Sequence, residues 1–270
     1  MKSSGLKRVP IDKYYTKDEA VQLCMTYVKS NVHISEEDLI IEPSAGAGAF
    51  IQRIEILGTS VRFLDIKPEN ENIEACDFLS LNINRYDHKG KVYVIGNPPF
   101  GRQSSLALKF IKHATEFCDA VCFILPRSFK KESMKKKINP FFHCILEEDL
   151  PEYSFSLDGN KFDVPCVFQI WTKRSFKRSV AAKENPKRWA FVKKESQPDI
   201  SLRRVGAKAG HVDRDVYDKS IQSHYFIKFD KMDHDLFTRL KELRFEEAVY
   251  TVGPRSISKG EVIAMLNVVV

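Results

Sequence analysis

"DLIIEPSAGAGAFIQRIEILGTSVRFLD", residues 38–65, decides the fold class of this 270-residue chain. It opens with a short apolar strand closed by Pro43 and passes through a turn of small residues. A helical segment, 49–57, follows and ends at Gly58, and a second strand occupies 60–65. Strand, turn, helix and strand in that order form a βαβ unit, the building block of an open α/β sheet. Gly46 and Gly48 let the backbone turn sharply and approach a ligand closely, and the helix behind them offers free amide donors at its first turn.

The same alternation extends in both directions. Upstream, "TKDEAVQLCMTYVKSN" (16–31) predicts a helix capped by Thr16, with Glu19 at the spacing that completes a reciprocal cap. Downstream, "KVYVIGN" (91–97) and "DAVCFILP" (119–126) read as buried strands. Between them "SSLALKFIKHATEF" (104–117) places its apolar residues on one helical face. A basic helix over 130–139 precedes "FFHCILEEDL" and "VPCVFQIW", two strands with no full-length helix between them, hence an antiparallel pair at one sheet edge. Beyond Arg174 the chain turns basic. Strand candidates "WAFVKK", "ISLRRV" and "HYFIKF" precede helices around "DHDLFTRLKELRF" and in "GEVIAMLNVV". The division is therefore a sheet domain over 1–174 and an α+β extension over 175–270, either a small second domain or strands wrapped onto the first.

At 43% apolar residues the chain buries a full core. No apolar run approaches the roughly 20 residues a bilayer requires, and the N-terminus lacks the apolar segment of a secretory signal, so an intracellular protein, cytoplasmic or nuclear and without a membrane partner, is expected. Six cysteines are scattered singly through apolar stretches, with no C-x-x-C pair and no His cluster at ligand spacing; they read as reduced core residues, and no metal is expected. The net charge of +7 is unevenly spread. Residues 173–210 hold twelve Lys/Arg against three Asp/Glu, a net +9, and residues 127–137 hold six against one, a net +5. Such concentration favours a polyanionic partner, DNA or RNA, with Arg127, Lys130, Lys131, Arg203 and Arg204 as candidate contacts over the plainer reading of solvated surface charge.

In open α/β sheets ligands bind beyond the carboxyl ends of the strands. The first strand ends in Glu42, directly before the glycine turn. The second ends in Asp65, 23 residues after Glu42, the placement of a carboxylate that accepts from ribose hydroxyls; capping a loop is its structural alternative. In "ACDFLSL" Asp77 can accept from an adenine amino group beside Phe78, which can cover the ring. Asn97, Pro98, Pro99 and Phe100 follow a third strand. The prolines lack donors and have fixed φ, so the loop is stiff and its carbonyls face outward. Asn97 Oδ1 and the Pro98 carbonyl can take both hydrogens of an exocyclic amine, leaving its lone pair toward an incoming methyl group, while Phe100 offers a stacking face. By itself a double proline after a strand can equally be a mere turn.

"EPSAGAGAF", Asp65, the "DF" at 77–78 and "NPPF" at 97–100 resemble, in that order, the motifs of class I S-adenosylmethionine-dependent methyltransferases that modify the amino group of adenine. The resemblance covers roughly residues 10–174. It implies a Rossmann-like sheet of seven strands whose last two are antiparallel. It also implies cofactor contacts from Glu42, Pro43, Ser44, Ala45, Gly46 and Gly48, ribose binding by Asp65, and adenine binding by Asp77 and Phe78. Tyr14–Lys17, "YYTK", is similar to an element that touches the methionine end of the cofactor in one permuted subgroup, with Thr16 the expected contact. Phe100 replaces the tyrosine of many DNA enzymes of this group, and relatives acting on RNA often carry phenylalanine.

Three functions compete. The first is methyl transfer to adenine in DNA or RNA. The second moves the same chemistry to the side-chain amide of a protein glutamine, which the same loop type also positions. The third is a silent methyltransferase-like subunit that binds nucleic acid, against which the intact glycine turn and Asn-Pro-Pro loop argue.

Overall fold

The structure is a computed structural model and describes residues 14–157, 160–179, 182 and 184–270. The first 13 residues, read above for a secretory signal, lie outside them, as do 180, 181 and 183 of the basic segment. The chain forms two compact units, Met1–Ser179 and Val180–Val270.

The first unit runs β1 (Tyr15–Thr16), α1 (Asp18–Asn31), β2 (Leu39–Glu42), α2 (Ile51–Glu55), β3 (Ser60–Asp65), β4 (Glu74–Ala75), β5 (Val92–Gly96), α3 (Ser105–Phe117), β6 (Ala120–Pro126) and α4 (Glu132–Lys135). It ends with β7 (Phe142–Asp149), β8 (Phe155–Leu157), β9 (Asn160–Phe162) and β10 (Cys166–Lys173). Seven strands form one sheet in the order β4-β3-β2-β5-β6-β10-β7. β2, β5 and β6 are buried at every position, as strands covered on both faces must be. The parallel strands β3, β2, β5 and β6 point the same way, whereas β10 runs antiparallel to both β6 and β7. The antiparallel pair at one end of a Rossmann-like α/β sheet is thus present. Buried Asp38 ties the starts of β2 and β5 together, its carboxylate accepting from the amides of Ser35 and Lys91, each at 2.7 Å.

Two local expectations are corrected. Thr16 does not cap α1. It lies in β1, opposite Phe155 of β8, and Lys17 occupies the cap with no side-chain hydrogen bond. The pull of strand pairing overrides the capping pattern, and β1-β8-β9 form a separate three-stranded ribbon. The basic helix over 130–139 shrinks to the four residues of α4, because Arg178 claims the carbonyls beyond it. Its guanidinium donates to the oxygens of Lys135, Ile138, Asn139 and Phe142 at 2.6–2.8 Å. Carbonyls satisfied in that way have no need of a continuing helix.

The second unit carries β11 (Trp189–Val192), β12 (Ile200–Arg203), β13 (Val212–Asp213), β14 (His224–Phe229), α5 (His234–Glu242) and α6 (Lys259–Val269). Its sheet, ordered β11-β14-β12-β13, is antiparallel throughout. Trp189, Ile200, Leu202 and Ile227 of the sheet share a core with Leu236 and Leu240 of α5 and Val262 and Leu266 of α6. Ser258 and Glu261 form a reciprocal cap at the start of α6.

Candidate active site at the strand ends

The strand order reverses at β2, which has β3 on one side and β5 on the other. A crevice opens at such a switch point. A cavity of about 410 Å³ lies there, lined by Glu42 and Asp65, which end β2 and β3, and by Asn97, which directly follows β5. Pro43, Ser44, Ala45 and Gly46 line it from the glycine turn, and Pro98, Pro99 and Phe100 from the opposite loop. Thr16, Asp77 and Phe78 complete the predicted set. Gly48 is the exception: it shapes the turn from behind, at φ +93°, where a Cβ would meet Ile51 Cδ1 at 2.6 Å.

Asp65 holds the glycine turn in place. Its Oδ2 accepts from the amide of Gly46 and its Oδ1 from that of Lys67, both at 2.8 Å. The structural alternative for Asp65, capping a loop, is therefore present, and it also aims the carboxylate into the cavity. A carboxylate offers about four acceptor positions, so about two remain for a ligand.

Glu42 contrasts with it. The side chain is buried, and its Oε2 has no hydrogen-bond partner among the described residues. Burial, reinforced by the nearby Asp65 charge, pushes the carboxyl up to about 8. Close packing makes room for it: Gly96 at φ +153° passes so near that a Cβ would stand 3.1 Å from Glu42 Cγ.

Asn97 is fixed at two points. Its backbone oxygen accepts from Ser44 Oγ at 2.9 Å, and its Nδ2 donates to Thr16 Oγ1 at 3.1 Å. Its Oδ1 is buried with no partner among the described residues. The Phe100 carbonyl accepts from the amides of Leu106 and Ala107 and so anchors the loop to the start of α3. Between these anchors Gln103 and Ser104 both adopt positive φ, +53° and +60°, a strained connection held by the surrounding bonds.

Asp77 accepts from the Leu79 amide at 3.0 Å and caps a single 3-10 turn. Phe78 faces Phe110, ring centroids 5.3 Å apart, and presents only part of itself to the cavity. Ile66, directly after Asp65, is an apolar wall that sequence reading missed: it lines the cavity yet is 77% exposed. Its signal was an isolated apolar residue in the polar run "DIKPENEN". Tyr15, in the "YYTK" element expected at the methionine end of the cofactor, does line the cavity; its hydroxyl donates to the carboxylate of Glu69, also a lining residue, at 2.9 Å.

The predicted basic contacts lie elsewhere. Arg127 and Lys130 are not among the cavity's lining residues. Both pair with Asp149 of β7, at 3.2 and 3.0 Å. Lys135 pairs likewise with Glu147, and Lys131 is buried. Charge counted along 127–137 overstates the local field, because the acidic end of β7 lies alongside. Arg203 and Arg204 belong to the second unit, where Arg203 donates to the Val205 carbonyl and the exposed Arg204 lies over the Tyr225 ring. Among the described residues no group of three or more His, Cys, Asp or Glu is placed to hold a metal ion, all six cysteines are free, and no helix is long and apolar enough to cross a membrane.

Comparison with known proteins adds the family. A relative, the protein ENHANCED DOWNY MILDEW 2 of Arabidopsis thaliana, is 24% identical over 193 residues; the alignment covers 64% of this chain but only 14% of that protein. Among solved structures, a proposed RNA methyltransferase from Pyrococcus horikoshii aligns at 20% identity and a TM-score of 0.42, covering 63% of this chain and 91% of that one. The methyltransferase subunit of a type I restriction-modification system from Streptococcus thermophilus aligns at 12% identity and a TM-score of 0.41, covering 93% and 60%. Nothing about substrate follows from likenesses this distant. The model of the EDM2 methyltransferase-like domain matches residues 33–175, from the approach to β2 to just past β10. That match spans more than half of the sequence and takes in the glycine turn, Asp65 and the Asn-Pro-Pro-Phe loop, so the chain belongs to the EDM2 methyltransferase-like domain family.

Proposed function

We propose that this protein transfers a methyl group from S-adenosylmethionine to the exocyclic amino group of adenine in DNA or RNA. The observation that carries the reading is the Asn97 amide, whose oxygen is buried in a loop that lines the cavity and has no partner among the described residues. A buried acceptor without a donor costs about 1–3 kcal/mol, so the fold pays for holding it there. An amine hydrogen satisfies it, and the Pro98 carbonyl takes the second hydrogen. With both hydrogens held, the nitrogen lone pair points away from the loop. Phe100 then stacks on the base, and no general base is needed to make the amine a nucleophile.

The donor side of the cavity suits the cofactor. When bound, S-adenosylmethionine supplies a methyl group on a positively charged sulfur. Glu42 offers a buried carboxyl oxygen with no partner among the described residues, fitted to a cationic ligand. Asp65 keeps acceptor sites for ribose hydroxyls, Asp77 stands by for the adenine amino group, and Ile66 gives the ring an apolar wall. In this reading the first unit is the catalytic part, and the second carries target contacts through Arg203 and Arg204.

The test is labelling with S-adenosylmethionine carrying a tritiated methyl group, using matched single-stranded DNA, double-stranded DNA and RNA, followed by nucleoside analysis. Label is expected on the adenine amino group, and Asn97→Ala or Phe100→Ala should lose it with the fold retained. No cofactor binding and no label in any nucleic acid would sink the reading. One observation favours a second target, the side-chain amide of a protein glutamine: the pairing of Arg127 and Lys130 with Asp149 removes part of the case for a polyanion. Methyl label in a lysate that survives nuclease but not protease decides for that target.

A further inference from the structure

We propose that Thr16 is a positioning residue for Asn97, and that the ribbon β1-β8-β9 thereby sets the geometry of the amine site. The proposal rests on the reading of Asn97 as the amine acceptor, and it gives Thr16 a task other than touching the cofactor. An amide side chain can turn by half a rotation and exchange its oxygen for its nitrogen. In one sense the cavity meets an acceptor; in the other it meets a donor, which opposes an amine's hydrogens. Among the described residues the Asn97 amide makes one side-chain bond, from Nδ2 to Thr16 Oγ1 at 3.1 Å, and the oxygen at its other end is the buried atom without a partner. In this sense of the amide Thr16 accepts from the nitrogen and the oxygen is left for the substrate; the hydroxyl, which can both donate and accept, fixes where the amide sits, and the two hydrogens of the amine select its sense.

Thr16 can do this because its backbone is itself held. It is paired with Phe155, a fully buried ring, and the amide of Lys17 donates to the Ser154 carbonyl at 3.0 Å. Ser154 in turn bonds the Pro151 carbonyl through its hydroxyl, at 2.6 Å. The segment between β7 and β10, which adds nothing to the main sheet, therefore reaches the reacting loop in two steps. With Thr16 drawn into the ribbon, its hydroxyl serves Asn97, 81 residues away, instead of the first turn of α1. Ser44 holds the backbone of the same residue from the glycine turn, so Asn97 is gripped from both neighbouring elements.

The test compares Thr16→Val, which keeps the shape and removes the hydroxyl, with Thr16→Ser, which keeps the hydroxyl, in the full chain. Three quantities are read: the maximal methyl-transfer rate on the best nucleic acid, the affinity for S-adenosylhomocysteine by calorimetry, and the side-chain amide signal of Asn97 in ¹H–¹⁵N spectra, assigned by its loss in Asn97→Ala. For Thr16→Val the rate should fall about tenfold or more, as for loss of one buried hydrogen bond at a reacting centre. Its affinity for S-adenosylhomocysteine should change less than about threefold, and the Asn97 amide signal should move. Thr16→Ser should restore rate and signal together. An unmoved Asn97 signal in Thr16→Val overturns the proposal, whether the rate is intact or falls with cofactor affinity, the latter making Thr16 a cofactor contact. If the wild-type chain methylates nothing, the functional reading fails, while the amide signal still decides whether Thr16 orients Asn97.

Discussion

Two of the carboxylates that line the cavity stand in opposite states. Asp65 has both oxygens engaged by backbone amides, whereas Glu42, at the end of the neighbouring strand, is buried with one oxygen unpartnered and its carboxyl pushed up to about 8. The strands β2 and β3 pair in parallel, with Glu42 opposite Phe63, so Asp65 extends two residues farther toward the rim. That offset decides the difference. Two residues along, the carboxylate reaches the amides of the glycine turn and of the following loop; two residues back, Glu42 packs against the Gly96 backbone and its Oε2 finds no partner among the described residues. The lesson is that Asp65 builds the site, while Glu42 stores an unmet demand that a ligand can meet.

The largest effect is expected where building is removed. Asp65→Ala deletes the acceptor for two amides, each bond to a charged group being worth about 1.5–3 kcal/mol, so affinity for S-adenosylmethionine should fall roughly 100-fold or more. The thermal midpoint should fall only a few degrees, because the turn lies at the rim and not in the core. Calorimetric titration beside a melting curve checks both. A loss of affinity no greater than in Asp77→Ala would show that Asp65 is not the builder.

Glu42→Gln comes next and sharpens the other half. The carboxyl titrates near 8 in the folded chain and near its ordinary 4.5 unfolded. Between those values the folded state binds the extra proton, so stability falls as pH rises through this window, and the cost is complete above about 8. Glutamine cannot titrate and should flatten that slope. From pH 6 to pH 9 the wild-type midpoint should drop about 2–4 °C more than that of Glu42→Gln, an effect on the order of 2 kcal/mol. With S-adenosylmethionine present the wild-type slope should shrink, since a cationic ligand favours the ionised carboxyl. A wild-type chain whose midpoint tracks that of Glu42→Gln at every pH would mean that water meets the demand.

How much of this was legible in the sequence follows from how local each signal was. The βαβ unit, the buried strands and the order of Glu42, Asp65 and Asn97 are written in consecutive residues, and the sheet topology alone brings their ends together. Thr16 was read as a cap because Glu19 sits three residues on; its partner is Asn97, and spacing along a chain carries no trace of a contact over 81 residues. Arg178 was counted as one more basic charge, though it holds four carbonyls around the turn after α4. Ile66 was passed over because a single exposed apolar residue is ordinary on any surface; only its place on the cavity wall gives it meaning.

The smallest effect concerns a third carboxylate, Asp149, which is neither buried like Glu42 nor bonded to amides like Asp65. It is 44% exposed and faces two cations, Arg127 and Lys130. Exposed pairs of this kind are worth about 0–1 kcal/mol each, so Arg127→Ala and Lys130→Ala should move stability by no more than that. Their effect on the nucleic-acid binding proposed above separates two pictures. A lysine that contacts a phosphate releases a counterion, and its loss lowers the slope of log K against log salt by about one. A lysine already paired with Asp149 releases none, and its loss leaves the slope unchanged. Asp149→Asn should then do the opposite, freeing both cations, strengthening binding a few-fold and steepening the slope. If Lys130→Ala instead weakens binding tenfold with a shallower slope, the pair opens on contact with nucleic acid, and Asp149 is a placeholder for phosphate.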